Sequence, residues 1–337
     1  MVVLGAGASR ACSPRGGHDN LLPPLTADLF DPRYEDTLRS YPLAQIAAAD
    51  IRVLVDSGAI AIEQFLRERL REAGDPYARR RYVQIPLYLQ ELLWNVSDHY
   101  VGVEPDNFDR LINAAFGLEG VVFTTLNYDV ILDRRLAVQG GPLTSLDDYV
   151  HEGRNWALVK LHGSVNWAQA IPWPHPIEEM GDGRMAALFA ELGDDLESLD
   201  SEIQLRDVAM PGFRYDAASQ SLFYPALSVP LGSEDELVCP PTHVTFLREW
   251  LKKPDGLNLL VIGYSGLDQE VLNLLRESGN GVRSLCVINH DAEHGRVTAE
   301  RIMEQFGGEA RGPGASNVAF NEWAQSAALD TYFDTLT

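Results

Sequence analysis

Six short runs of β-branched and apolar residues, each bounded by Gly, Asn or Asp, constrain this chain more than any other feature. They are Val2 to Leu4, Val121 to Thr125, Leu158 to Leu161, Leu259 to Gly263, Leu285 to Asn289 and Val318 to Phe320. Continuous apolar runs of this length predict strands covered on both faces. Helical patterns follow several of them, at Asp129 to Val138, Asp268 to Ser278, Val297 to Phe306 and Glu322 to Phe333. Strands alternating with helices predict an α/β fold, a Rossmann-like, doubly wound and mostly parallel sheet. In such a sheet the carboxyl ends of the strands share one edge, and polar residues at those ends face a common crevice.

The strands are far apart in sequence because other material intervenes. After the first run the apolar period changes to 3.6, with Ile62, Phe65, Leu66 and Leu70 on one stripe, then Leu87 to Val96 and Phe108 to Leu118. This predicts a large helical insertion over 31–118. A second, mixed insertion rich in Trp, Pro and acids is expected over 166–227, with a hairpin around Phe213 to Tyr224. The whole chain, 1–337, then reads as a single domain carrying both. From Glu178 to Glu202 nine acids face one base, Arg184, which suits a solvated segment with a short helix near Met185 to Leu192, or a docking surface for a basic partner.

Charge narrows the function. Against 27 Lys and Arg stand 49 Asp and Glu, a net charge of −22, which argues against direct nucleic-acid binding because a phosphate-tracking surface needs a basic stripe. No apolar run approaches the roughly 20 residues of a membrane span, and without a charged leader the expected address is cytoplasmic. The first strand has only four residues before its glycines, so the natural start is expected a little upstream. Cys12, Cys239 and Cys286 are isolated, which excludes a disulfide framework and a four-cysteine zinc site.

Five strand ends carry candidate chemistry. Gly5-Ala6-Gly7-Ala8-Ser9 is a glycine turn whose missing Cβ atoms and free amides, at Ala8 and Ser9, could admit a pyrophosphate, or it is a plain turn. The dehydrogenase fingerprint is incomplete: Arg10 stands where a third glycine belongs, and Asp28, at the right distance for a ribose-binding acid, sits in what reads as a helix start. Thr125-Leu126-Asn127-Tyr128-Asp129 ends the second strand, where Asn127 could hold ribose hydroxyls or a water, or Asn127 or Asp129 could cap the next helix. His162 closes the third run before Gly163, where an imidazole could exchange a proton with a ligand or serve structure alone. Gly263-Tyr264-Ser265-Gly266-Leu267-Asp268 suits a second ligand loop, with Ser265 near phosphate or ribose and Asp268 as cap. It also imitates a hydrolase elbow, but Leu267 replaces the second glycine, and Asp291 and His294 lie too close together to complete a triad. Asn289 suits an adenosine ribose or a plain strand end. Cys239 and His243 alone do not make a metal site.

The order G-A-G-A-S, T-x-N-Y-D, L-H-G-S, I-G-Y-S, V-I-N resembles the sirtuin-like superfamily, and looks closest to its zinc-less bacterial members that hydrolyse NAD in antiphage defence. Leu126 is an extra residue in the usual T-T-N-Y-D. The resemblance implies catalytic roles for Asn127 and His162, and NAD contacts by Gly5, Ala6, Gly7, Ala8, Ser9, Thr125, Asp129, Gly263, Tyr264, Ser265, Asp268 and Asn289. It implies NAD as substrate, no metal, cleavage to ADP-ribose and nicotinamide, and a homo-oligomer, with a partner such as an ATPase or an Argonaute-like protein reached through the acidic surface. The alternatives are a deacylase working without zinc and a non-catalytic NAD or ADP-ribose-binding subunit of a larger assembly.

Overall fold

The computed structural model describes residues 1–13, 21–57, 76–100, 107–173, 182–192, 201–209, 213–228, 237–252, 256–277, 281–306, 311–315 and 318–336. The expected stripe of Ile62, Phe65, Leu66 and Leu70 lies outside them.

A six-stranded parallel sheet forms the centre. Its strands are β1 (Val2–Leu4), β2 (Val121–Thr125), β3 (Trp156–Lys160), β8 (Leu257–Ile262), β9 (Val282–Ile288) and β10 (Arg311–Ala315), in the order β10-β9-β8-β1-β2-β3. The order climbs outward in both directions from the middle, so the winding reverses between β1 and β8. This is the doubly wound fold expected from the sequence. Alternate residues feed opposite faces: Val2 and Leu4 join one apolar cluster with Phe123, Leu158, Ile262 and Ile288, while Val3 joins the other with Val122, Val159, Val261 and Val287. Each such side chain contributes about 1.5–3 kcal/mol when fully buried, so even the three residues of β1 are firmly seated.

Two expectations at the carboxyl-terminal end are corrected. Val318 to Phe320 is not a strand: the last strand is Arg311–Ala315, and Phe320 opens a helix, Phe320–Gln325, where it is buried against Phe108 at a ring separation of 6.0 Å. The strand contains Gly312, Pro313 and Gly314, residues poor in strand propensity that an edge strand tolerates, and its register against β9 shifts between Arg311 and Gly314. The single helix expected from Glu322 to Phe333 is two, Phe320–Gln325 and Ala327–Asp334. Ser326 adopts an extended backbone between them, and its hydroxyl caps the second by accepting the Ala328 amide.

Helices Pro42–Ser57, Pro76–His99 and Asn107–Ala115 occupy the stretch between β1 and β2. After β3 the chain turns at Gly163 into a second, antiparallel sheet of β4 (Gly163–Pro172), β5 (Ile203–Leu205), β6 (Tyr215–Asp216) and β7 (Ser221–Leu227), ordered β5-β4-β7-β6. The turn demands glycine. Gly163 has φ +85, and a Cβ there would lie 2.0 Å from the Ala226 carbonyl oxygen. A helix, Asp182–Glu191, lies within the acidic stretch. No helix among the described residues is long and apolar enough to cross a membrane.

Candidate functional site

The carboxyl edge of the parallel sheet gathers the loops after β1, β2, β3 and β8. At its centre, the turns after β1 and β8 pack backbone to backbone. Gly5 donates to the Ile262 carbonyl (3.0 Å) and Gly7 to the Gly263 carbonyl (3.1 Å). A Cβ on Gly5 would sit 2.5 Å from the Gly263 oxygen, one on Gly7 2.9 Å from the Gly263 Cα, and one on Gly263, at φ +60, 2.3 Å from the Ala8 nitrogen. The direction a Cβ of Gly7 would take is thus occupied by Gly263, from another loop of the same chain. The Ala8 amide donates to the Gly5 carbonyl at 2.9 Å, within the first turn of a six-residue helix, Ala6–Ala11. Ala8 and Ser9 are buried, and Ala6 and Gly7 are half-buried. Arg10 bridges to Asp28 (3.2 Å), so that acid is occupied by the loop itself.

Asn127 leans across this floor. Its Nδ2 donates to the Gly5 carbonyl and to the Ser9 hydroxyl, both at 3.0 Å, and its amide donates to the Thr125 hydroxyl, which in turn donates to the Leu4 carbonyl. Because a backbone carbonyl only accepts, the nitrogen must face Gly5, and no described residue donates to Oδ1. The carboxamide oxygen is the acceptor left for a ligand. Leu126, the extra residue, does not turn Asn127 away: its amide also bonds the Leu4 carbonyl (3.2 Å), prolonging the β1–β2 pairing by one step.

His162 follows β3 and reaches back to the β8 loop. Its Nε2 lies 2.9 Å from Asp268 Oδ2, with both side chains about one-fifth exposed. The other Asp268 oxygen caps helix Gln269–Glu277 by accepting the Val271 amide (2.9 Å), so one carboxylate fixes both the helix and the imidazole. Burial alone would raise the Asp268 carboxyl, but the hydrogen bond and charge of His162 and the amides of Val271 and Glu270 outweigh it, and the group is held below its ordinary 3.8. An ionised carboxylate only accepts, so in the neutral ring Nε2 carries the proton and Nδ1 holds the lone pair. The pairing of His162 with Asp268 is the feature sequence reading missed. Asp268 was legible as a cap, but nothing in the spacing points its second oxygen at a histidine from another segment.

Other expected contacts take different places. Asp129 is buried, accepts the Ile131 amide (3.1 Å) and is raised above 3.8, by burial first and against the Lys160 charge and the Ser9 hydroxyl. The Tyr264 ring packs into the core, and its hydroxyl accepts the Asp268 amide at 3.1 Å, so the phenol braces the loop from behind. Ser265 is exposed on the same loop. Asn289 donates to the Tyr264 carbonyl (3.3 Å), joining the end of β9 to the β8 turn. His243 is buried, bonds the Leu146 carbonyl (2.8 Å) and stacks on Tyr149, a structural role.

No protein-family model matches this chain, and no curated protein does. Among solved structures, it is similar to Sir2 in complex with the inhibitor EX-527, 2'-O-acetyl-ADP-ribose and a deacetylated p53 peptide. The identity is 13% and the TM-score 0.38, over 98% of this chain and 93% of that one. Sir2Tm bound to a propionylated peptide is similar at 14% identity and a TM-score of 0.37, over 98% and 92%. Likenesses of this size leave the chemistry to be argued from this chain's own residues.

Proposed function

We propose that this chain cleaves the bond between nicotinamide and ribose in NAD, releasing nicotinamide and ADP-ribose. The observation that carries the reading is the His162–Asp268 pair, 2.9 Å apart at the same sheet edge as Asn127. Ligands of open α/β sheets settle where the winding reverses, and here that place lies between β1 and β8, flanked by the Gly5 and Gly263 turns. Nicotinamide leaves as a neutral molecule from a cationic pyridinium, so the reaction asks for little more than a gripped sugar and a placed water. Asn127 offers its carboxamide oxygen to a ribose hydroxyl or to that water. His162, with Nε2 tied to Asp268, presents Nδ1 as the base. The resemblance read from the sequence adds the biological role: an NAD-depleting effector in bacterial antiphage defence, working as a homo-oligomer or with a partner protein.

The test is nicotinamide release from NAD by the purified chain, with and without an acylated peptide. The expected result is release without the peptide, reduced about 10²-fold or more in Asn127→Ala and His162→Ala. Full activity in both variants would remove these residues from the chemistry. Turnover that requires the peptide would make the chain a deacylase, and tight NAD binding without product would make it a sensor subunit.

A further inference from the structure

Among the described residues, one cluster of metal-ligating side chains is separate from the His162 pair. His290, Asp291 and His294 follow β9 and enter helix Ala292–Phe306, and one ligand atom from each lies within 4.8 Å of the others. We propose that His290, Asp291 and His294 form a binding site for one divalent transition-metal ion of the zinc class.

The geometry of the three groups supports this. Asp291 Oδ1 accepts the His294 amide at 2.9 Å, an N-cap contact, and also lies 3.0 Å from His294 Nδ1, while Oδ2 faces both rings. His290 Nε2 lies 3.0 Å and His294 Nδ1 2.9 Å from that oxygen, and the ring centroids are 4.0 Å apart. Ligands at zinc distances of about 2.0–2.2 Å in a tetrahedron stand about 3.3 Å from one another, close to the two nitrogen–oxygen spacings already present. Two imidazoles and a carboxylate form a borderline donor set, which suits zinc, cobalt, nickel or copper better than magnesium or calcium.

The surroundings of His290 add an independent argument. Asn289 donates through Nδ2 to the Tyr264 carbonyl and accepts the His290 backbone amide on Oδ1, so its amide orientation is fixed. The same Oδ1 lies 3.2 Å from His290 Nδ1 and can only accept a proton from it. That assigns the Nδ1 proton and leaves the Nε2 lone pair of the neutral ring facing a carboxylate oxygen at 3.0 Å. A cation completes that contact, either a second proton on the ring or a metal ion shared between Nε2 and the carboxylate. An outer partner on the second ring nitrogen is the arrangement that metal-bound histidines usually have. The side chains of His290 and His294 are well exposed, so a fourth position stays open to water or to a ligand group. This departs from the metal-free reading of the sequence, in which Asp291 and His294 were weighed only as hydrolase partners.

The experiment uses tag-free full-length protein stripped with a chelator and titrated with Zn²⁺ by calorimetry, with Co²⁺ as a visible-absorption probe. The expected outcome is one ion per chain and visible Co²⁺ bands of low coordination number. Affinity should fall at least about 10-fold in His294→Gln, since even an outer-shell partner costs about 10–100-fold when removed. It should vanish in His290→Gln/His294→Gln and persist in His151→Gln, an exposed histidine elsewhere. Circular dichroism should not change among the variants, because the substituted rings are exposed. Absence of a saturable heat with Zn²⁺, or unchanged stoichiometry in the double variant, overturns the proposal. Neither result depends on NAD cleavage.

Discussion

Lys160 and His162 stand two residues apart at the end of one strand, and each faces an aspartate, at 3.0 Å for Lys160–Asp133 and 2.9 Å for His162–Asp268. Their surroundings make them opposites. Lys160 has no exposure, and its Nζ also donates to the Asp129 carbonyl, while Tyr149 donates to the other Asp133 oxygen. Every member of that network is spent on another. His162 keeps about one-fifth of its side chain exposed and uses one ring nitrogen on Asp268. The same pairing of a basic side chain with an aspartate is mortar in the first case and a poised group in the second, and burial decides which.

The comparison can be broken first at its buried end. Lys160→Ala leaves the Asp133 carboxylate without its cation and should cost about 3–5 kcal/mol, read as a lower midpoint in urea unfolding. Lys160→Met with Asp133→Leu should recover most of that loss, because desolvation of both charges disappears together. A benign Lys160→Ala would show that the network is not the support we describe.

Next in size is the corner between the two ends. Gly163→Ala sets a Cβ against the Ala226 carbonyl at φ +85. Strain of that kind costs about 1–3 kcal/mol before the clash is counted, and it should lower stability and displace His162 together. An unfolding midpoint within error of the parent would mean that the turn relaxes without effort.

The smallest stability effect, and the sharpest test of the exposed end, belongs to Asp268→Asn. The carboxyl is depressed in the folded chain, so its contribution is complete above the unfolded value near 3.8 and is lost as pH falls through the lower folded value. The difference in urea midpoint between the parent and Asp268→Asn should therefore hold from neutral pH down to about 4, and shrink below it. Under the proposed chemistry the same change should cut NAD cleavage about 10²-fold or more, because an amide donating to Nε2 forces the proton onto Nδ1. Unaltered activity in Asp268→Asn would detach the carboxylate from the reaction.

Much of the fold was legible because burial on both faces leaves a plain signal. β1 and β2 coincide residue for residue with the expected runs, and β3, β8 and β9 differ only at their ends. β10 was hidden because an edge strand needs neither an apolar run nor a full ladder, so Gly312, Pro313 and Gly314 could form it. The break at Ser326 was hidden because the apolar period continues through it. At the site, the strand-end positions of Asn127, His162 and Asp268 were legible, while their pairings were not. Periodicity and turn chemistry report on neighbours within one element. A contact between the end of β3 and the loop after β8 depends on how two crossovers bring them together. Gly7 shows the limit most clearly: the absence of a Cβ was readable, but not what fills the space.

That filled space constrains how the molecule can respond to a ligand. Since Gly5, Gly7 and Gly263 meet main chain against main chain, drawing the turns after β1 and β8 apart would break the Gly5–Ile262 and Gly7–Gly263 hydrogen bonds. Under the proposed chemistry, accommodation falls to side chains around that floor, such as His162. Selectivity evolves more easily there than on a floor where no side chain larger than hydrogen fits.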